Sequence, residues 1–126
     1  MTQFNLEELI SNLVKNCSVE FKNFNLKKEN EIELFFEEFV LSFKLENLNF
    51  IIKNFNVYGQ FRFNKRLDFI SLGEKIINFL ISYLKKLGFV LIIAFNILSD
   101  ALNFWRRLNF EIRVEDSIKV GYFNLR

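Results

Sequence analysis

The segment 71–110 limits what this chain can become more than any other stretch. Over 71–87 the apolar residues Ile76, Ile77, Leu80, Leu84 and Leu87 recur at helical spacing, Lys85 and Lys86 suit the last turn, and Gly88 supplies the stop. Phe89, Val90, Leu91, Ile92, Ile93 and Ala94 follow without a polar residue. A strand with no polar position expects cover on both faces, which puts it in the interior of a sheet. A second helix is expected over 99–108, opened by Ser99 or Asp100 as its cap and burying Ala101, Leu102, Trp105 and Leu108. Strands at 110–114 and 118–125 then form a hairpin around 115–117.

Upstream, Leu6, Leu9, Ile10, Leu13 and Val14 predict a helix over 4–15, stopped near Asn16. Residues 19–26 read as a strand with an irregularity near Asn23, and 27–30 as a charged turn. Residues 32–45 read as one long strand or a strand pair, with Leu34, Phe36 and Val40 buried. Glu46-Asn47 signals a turn, and Leu48, Phe50 and Ile52 alternate beyond it. After Lys53-Asn54 a further strand is expected over 55–63, with Phe61 and Phe63 on one face and Gln60 and Arg62 on the other. Residues 64–70 then connect to the long helix. Helices combined with mostly antiparallel strands and one buried strand define an α+β domain: a mixed, mostly antiparallel central sheet flanked by helices.

At 126 residues the chain fits a single domain, 1–126, large enough to bury a core unaided. No apolar run approaches the ~20 residues a bilayer span needs, and 1–8 lacks the pattern of a signal peptide. Cys17 is the only cysteine, so the cytoplasm is the expected compartment. With no histidine, Ser-His-Asp and Cys-His chemistry is excluded, and with a single cysteine no metal centre is expected. The net charge of +2 does not call for a polyanionic partner. Most of the 18 Phe residues read as core filling.

Two stretches carry a functional resemblance. Lys85-Lys86-Leu87-Gly88-Phe89 and Ala101-Leu102-Asn103-Phe104-Trp105-Arg106-Arg107-Leu108-Asn109-Phe110 together resemble the C-terminal half of the GNAT acyltransferases. In that family an Ala-x-x-Phe-Tyr or Phe-Trp helix ends in Leu-Gly-Phe. Here Asn109 stands for the glycine, and Asn is the residue best able to replace Gly in a left-handed conformation. The resemblance implies a phosphate loop at 68–73. There Gly73 keeps the final glycine, while Ser71 and Asp68 replace the first glycine and the basic or amide residue. It further implies a cofactor strand at 57–63, bulged at Gly59, whose amides near Phe61, Arg62 and Phe63 contact acetyl-CoA. Ser71, Leu72, Gly73, Glu74 and Lys75 would meet its diphosphate at a helix N-terminus, and Trp105 would stand beside it. Trp105 takes the place of the tyrosine that family members use as an acid, so no catalytic residue is assigned.

The implied activity is an acetyl-CoA-dependent N-acetyltransferase acting on an amine of a small molecule or protein. The alternative is a catalytically inactive GNAT-like fold serving as a protein-binding module or inhibitor. A third reading, the least favoured, is a nucleic-acid-binding domain using Lys65, Arg66, Arg106 and Arg107. Glu37-Glu38 reads either as a basic-substrate contact or as a solvated pair. A second copy of the chain is a further candidate partner.

Overall fold

The computed structural model describes residues 4–62 and 71–126, with Arg62 described for its backbone alone. Helix α1 (Leu6–Cys17) opens the described chain. Its first turn is capped by Asn5, whose side chain accepts from the Glu8 amide at 3.1 Å. Four strands follow: β1 (Phe21–Leu26), β2 (Glu31–Phe36), β3 (Phe39–Glu46) and β4 (Asn49–Val57). Next come α2 (Gly59–Arg62), α3 (Leu72–Lys86), β5 (Leu91–Ala94), α4 (Leu102–Arg107), β6 (Glu111–Glu115) and β7 (Ile118–Asn124). The seven strands form one sheet in the order β1-β2-β3-β4-β5-β7-β6. Among the described residues only β4 and β5 pair in parallel, joined by the crossover that contains α3. The fold is α+β, with a mixed, mostly antiparallel sheet.

The stretch 32–45 is a strand pair, turned tightly at Glu37-Glu38. Glu38 ties this turn to its surroundings: its carboxylate accepts from the Glu20 amide at 3.0 Å and its carbonyl from the Tyr58 amide at 2.9 Å. Glu37 pairs with Lys22. The irregularity expected near Asn23 is a register shift between Phe21 and Asn23. The second helix departs from expectation at its start, a 3-10 turn over Ser99–Ala101 with no side-chain cap. Three residues wound that tightly leave Leu102 as the first α-helical position, so neither Ser99 nor Asp100 stands at the cap.

Strand register explains the core. Leu34, Phe36, Phe39, Leu41, Phe43, Phe50, Ile52, Ile92 and Ala94 fall on one face of the sheet. They join Leu9, Leu13 and Cys17 of α1, Ile76, Ile77, Leu80 and Leu84 of α3, and Trp105 of α4 in one cluster. Within it Phe36 stacks on Phe39 and Phe43 on Phe50, with ring centroids 4.4 and 4.5 Å apart. Each ring buried this way contributes ~2–3 kcal/mol, so the abundant phenylalanine fills the interior. Leu91 and Ile93 point to the other face and stay half-exposed. The apolar run of β5 is therefore fully covered on only one side. Among the described residues no helix is long and apolar enough to cross a membrane.

Two helices end in the same device. At α3, Gly88 (φ 88°) follows Leu87, the Gly88 amide donates to Lys85 O, and the Phe89 amide donates to Leu84 O at 3.0 Å. At α4, Asn109 (φ 68°) follows Leu108, its amide donates to Arg106 O, and the Phe110 amide donates to Trp105 O at 3.1 Å. Both are Schellman motifs, and in each the following Phe turns back into the core. Asn109 takes the left-handed conformation expected of it. Left-handed geometry costs a residue with a Cβ ~1–2 kcal/mol, less for Asn. Asn109→Ala should therefore lower stability by about 1 kcal/mol, while Asn109→Gly should equal or exceed the parent. Urea midpoints at unchanged m-value would measure both.

Candidate functional site

The parallel pairing of β4 with β5 runs from Asn49↔Leu91 to Ile52↔Ala94 and closes with the Phe95 amide donating to Ile52 O at 2.9 Å. There it ends, although β4 continues to Val57 alongside β3. β5 itself ends there, so its parallel pairing with β4 spans four residues. Just beyond this point β4 is irregular: Ser42 pairs with Asn54 and Phe43 with Ile52, leaving Lys53 as an extra residue. This is a β-bulge, which bends and twists its strand. It also resets the alternation, so Phe55 and Val57 return to the core face opposite Leu41 and Phe39.

A bulge at Gly59 in a strand over 57–63 is thus corrected. The strand is β4 (Asn49–Val57), its bulge is at Lys53, and Gly59–Arg62 is a helical turn. The reason is pairing: β3 begins at Phe39, opposite Val57, so among the described residues β3 offers no further strand position to β4 beyond that point. Phe61 lies in α2, where its amide donates to Tyr58 O, and its half-buried ring packs against the core. The backbone of Arg62 lies in the same turn, while Phe63, Lys65, Arg66 and Asp68 lie outside the described residues.

The other expected residues converge on the first turn of α3. Ser71 is its N-cap, with extended backbone, and its hydroxyl accepts from the Glu74 amide at 3.2 Å. The Lys75 amide begins the helical ladder by donating to Ser71 O at 3.0 Å. The amides of Leu72 and Gly73 thus precede the ladder, as the first donors of any helix do. Gly73 is needed for space. A Cβ there would lie 3.0 Å from Phe104 Cε1 and 3.6 Å from Val57 Cγ2. The second tie to α4 is ionic: Arg107 donates through Nε and an Nη to Glu74 Oε1 at 3.2 and 3.0 Å.

Aromatic rings of β4 and α4 meet beside the front of α3. Phe55 of β4 meets Phe104 and Trp105 at 6.2 and 6.3 Å, and Trp105 meets Phe110 edge-on at 4.9 Å. Trp105 is buried in this cluster, while Phe104 is half-exposed above Gly73. At the bulge the Lys53 ammonium lies 4.3 Å from the centroid of the Phe95 ring. Reading the sequence missed Lys53, Phe55, Phe95, Phe104 and the Glu74–Arg107 pair. The bulge did leave a trace: Ile52 and Phe55 are both apolar but three apart, a slip in a pattern of two.

Other groups are accounted for without ligands. Arg107 pairs with Glu74, and Arg113 pairs with Glu111 while covering the Tyr122 ring. Of the cations in the nucleic-acid reading, Arg107 is thus paired and Arg106 is exposed, while Lys65 and Arg66 lie outside the described residues. Burial pushes the Cys17 thiol up to about 11, against a weaker opposing pull from Lys75. No group of three or more His, Cys, Asp or Glu able to hold a metal occurs among the described residues.

A mixed, mostly antiparallel sheet with one central parallel pair, and a helix in the crossover between its strands, matches the GNAT acyltransferase fold. Solved structures place the chain there over nearly its whole length. It covers 99% of its own length and 98% of a GNAT-family acetyltransferase from Staphylococcus aureus, at TM-score 0.55 and 13% identity. Against an acetyltransferase from Bacillus subtilis in complex with CoA the coverages are 99% and 96%, at TM-score 0.54 and 15% identity. For the ribosomal-protein-S18-alanine N-acetyltransferase of Escherichia coli they are 98% and 92%, at TM-score 0.57 and 10% identity. At such identities the likeness concerns the fold. No family model and no curated protein matches the sequence.

Two outcomes follow. Gly73→Ala should bring no gain alone, because Phe104 must give way. With Phe104→Ala beside it, it should stabilise by ~1 kcal/mol, the helix-propensity difference, as a double-mutant cycle of urea midpoints would measure. For Cys17 the folded pKa lies above the unfolded one, so its contribution is complete below the unfolded value. It is lost as pH rises toward about 11. Thiol labelling at pH 8 should therefore wait for unfolding, and Cys17→Ala should flatten the alkaline loss of stability.

Proposed function

We propose that this protein is an acetyl-CoA-dependent N-acetyltransferase acting on an amine of a small molecule or protein. The observation that carries the reading is the end of the β4–β5 pairing at Ile52 and Ala94, with α3 starting beyond the end of β4. Acetyl-CoA would supply the acyl group as a thioester. The Leu72 and Gly73 amides at the front of α3 suit its diphosphate, since they carry the positive end of the helix dipole. Lys75, exposed one turn in, adds a cation, and Arg107 offsets the charge of Glu74. Ser71 can cap the helix and still offer its own amide. This chain's part in the reaction is to position and to polarise through main-chain donors, which need no particular side chain. We place the activity in the cytoplasm, where a lone buried thiol stays reduced.

One observation favours a second reading, a GNAT-like fold that binds a protein partner without catalysis. Phe104 lies against Gly73 and packs with Phe55 and Trp105, and Trp105 has no hydroxyl to protonate a leaving thiolate.

Calorimetry with acetyl-CoA and with CoA separates the two. The enzyme reading expects saturable binding that Lys75→Glu weakens by about tenfold or more, since it adds an anion beside the diphosphate. Circular dichroism would check that the fold is kept. No heat at millimolar cofactor would favour the second reading.

A further inference from the structure

We infer that the outer edge of β1 is a docking strand for a second copy of this chain. In antiparallel pairing the residues that bond inward alternate with those whose amide and carbonyl point outward. The Lys27 amide donates to Glu31 O, so Asn25, opposite Glu33, also bonds inward, and Phe24 and Leu26 face out. Among the described residues nothing pairs with this edge, since β1 ends the sheet. The Phe24 and Leu26 side chains are 48% and 67% exposed.

Self-pairing that uses both outward residues has one centre, Asn25 opposite Asn25 of the other copy. Phe24 then exchanges two main-chain bonds with Leu26 of the second copy, and Leu26 with its Phe24. That gives four bonds and two apolar cross-strand pairs. No formal charge lies within 23–26. Of the flanking lysines, Lys22 is paired with Glu37 and Lys27 with Glu31 and Glu33, while Lys28 lies past the strand in a 3-10 turn.

The opposite edge shows why charge decides. Asp116 and Ser117, with φ of 50° and 68°, make a two-residue turn that closes on Glu115 and Ile118. Ile112 and Val114 of β6 therefore face outward, and Val114 is 71% exposed. The geometry matches that of β1, but the same self-pairing sets Arg113 against Arg113 and Glu111 against Glu115. Like charges opposed across strands are repulsive, which is how natural edges stay unpaired. β6 is guarded and β1 is not. Because a four-residue ladder buries little area, the dimer should be weak and concentration-dependent.

The test joins sedimentation with cross-linking. The parent should move toward twice its 15.2 kDa mass as concentration rises. Leu26→Pro removes an outward donor without touching the inner ladder, and should weaken association by about tenfold or more with an unchanged circular dichroism spectrum. The central pair is not hydrogen-bonded, with Cα atoms about 4.5 Å apart, inside the disulfide range. Asn25→Cys should therefore oxidise to a covalent dimer, while Arg113→Cys and the parent, whose Cys17 is buried, should not. A parent that stays monomeric at millimolar concentration overturns the inference. So does association indifferent to Leu26→Pro, or equal cross-linking of Asn25→Cys and Arg113→Cys. None of these outcomes depends on acetyl-CoA binding.

Discussion

Parallel pairing between β4 and β5 lasts four residues, and β4 runs on past its end alongside β3. A bulge at Lys53 returns Phe55 to the core face, where it meets Phe104 and Trp105, and Trp105 meets Phe110. Aromatic rings suit this contact because edge-on packing fills irregular space without demanding hydrogen bonds. The placement of α4 follows from it. Pinned through Phe104 above Gly73 and through Arg107 to Glu74, that short helix sits across the front of α3. A six-residue helix has little stability of its own, so packing and the motif at its end hold it there.

The same rings pull the functional reading in two directions. The end of the β4–β5 pairing and the first amides of α3 depend on main-chain geometry that tolerates wide sequence change. The rings beside them are a side-chain matter, and here they are large, apolar and without an acidic hydroxyl. Fold and site therefore give separable information in this molecule.

Much of the architecture was legible because local chemistry and tertiary need agree. The α3 stripe, Gly88 and Asn109 each have one physical reading, and the structure bears them out. The resemblance carried by 101–110 pointed to the right fold. What failed was the end of β4. Gln60 and Phe61 read as strand positions, but a strand needs a neighbour, and whether β3 reaches that far is not a local property. The aromatic cluster was hidden for a similar reason: Phe55, Gly73 and Phe104 are far apart in sequence and meet only once the crossover is made. The apolar run of β5 overstated its cover, since half-exposed Leu91 and Ile93 leave no polar mark.

The single surplus residue in β4 carries an evolutionary consequence. Substituting Lys53 alters one side chain, whereas deleting it would turn Phe55 and Val57 to the opposite face and take Phe55 away from Phe104 and Trp105. Codon loss or gain in this strand is thus far more damaging than point replacement. Descendants of this protein can vary the exposed positions of β4 while its core residues and its length stay fixed.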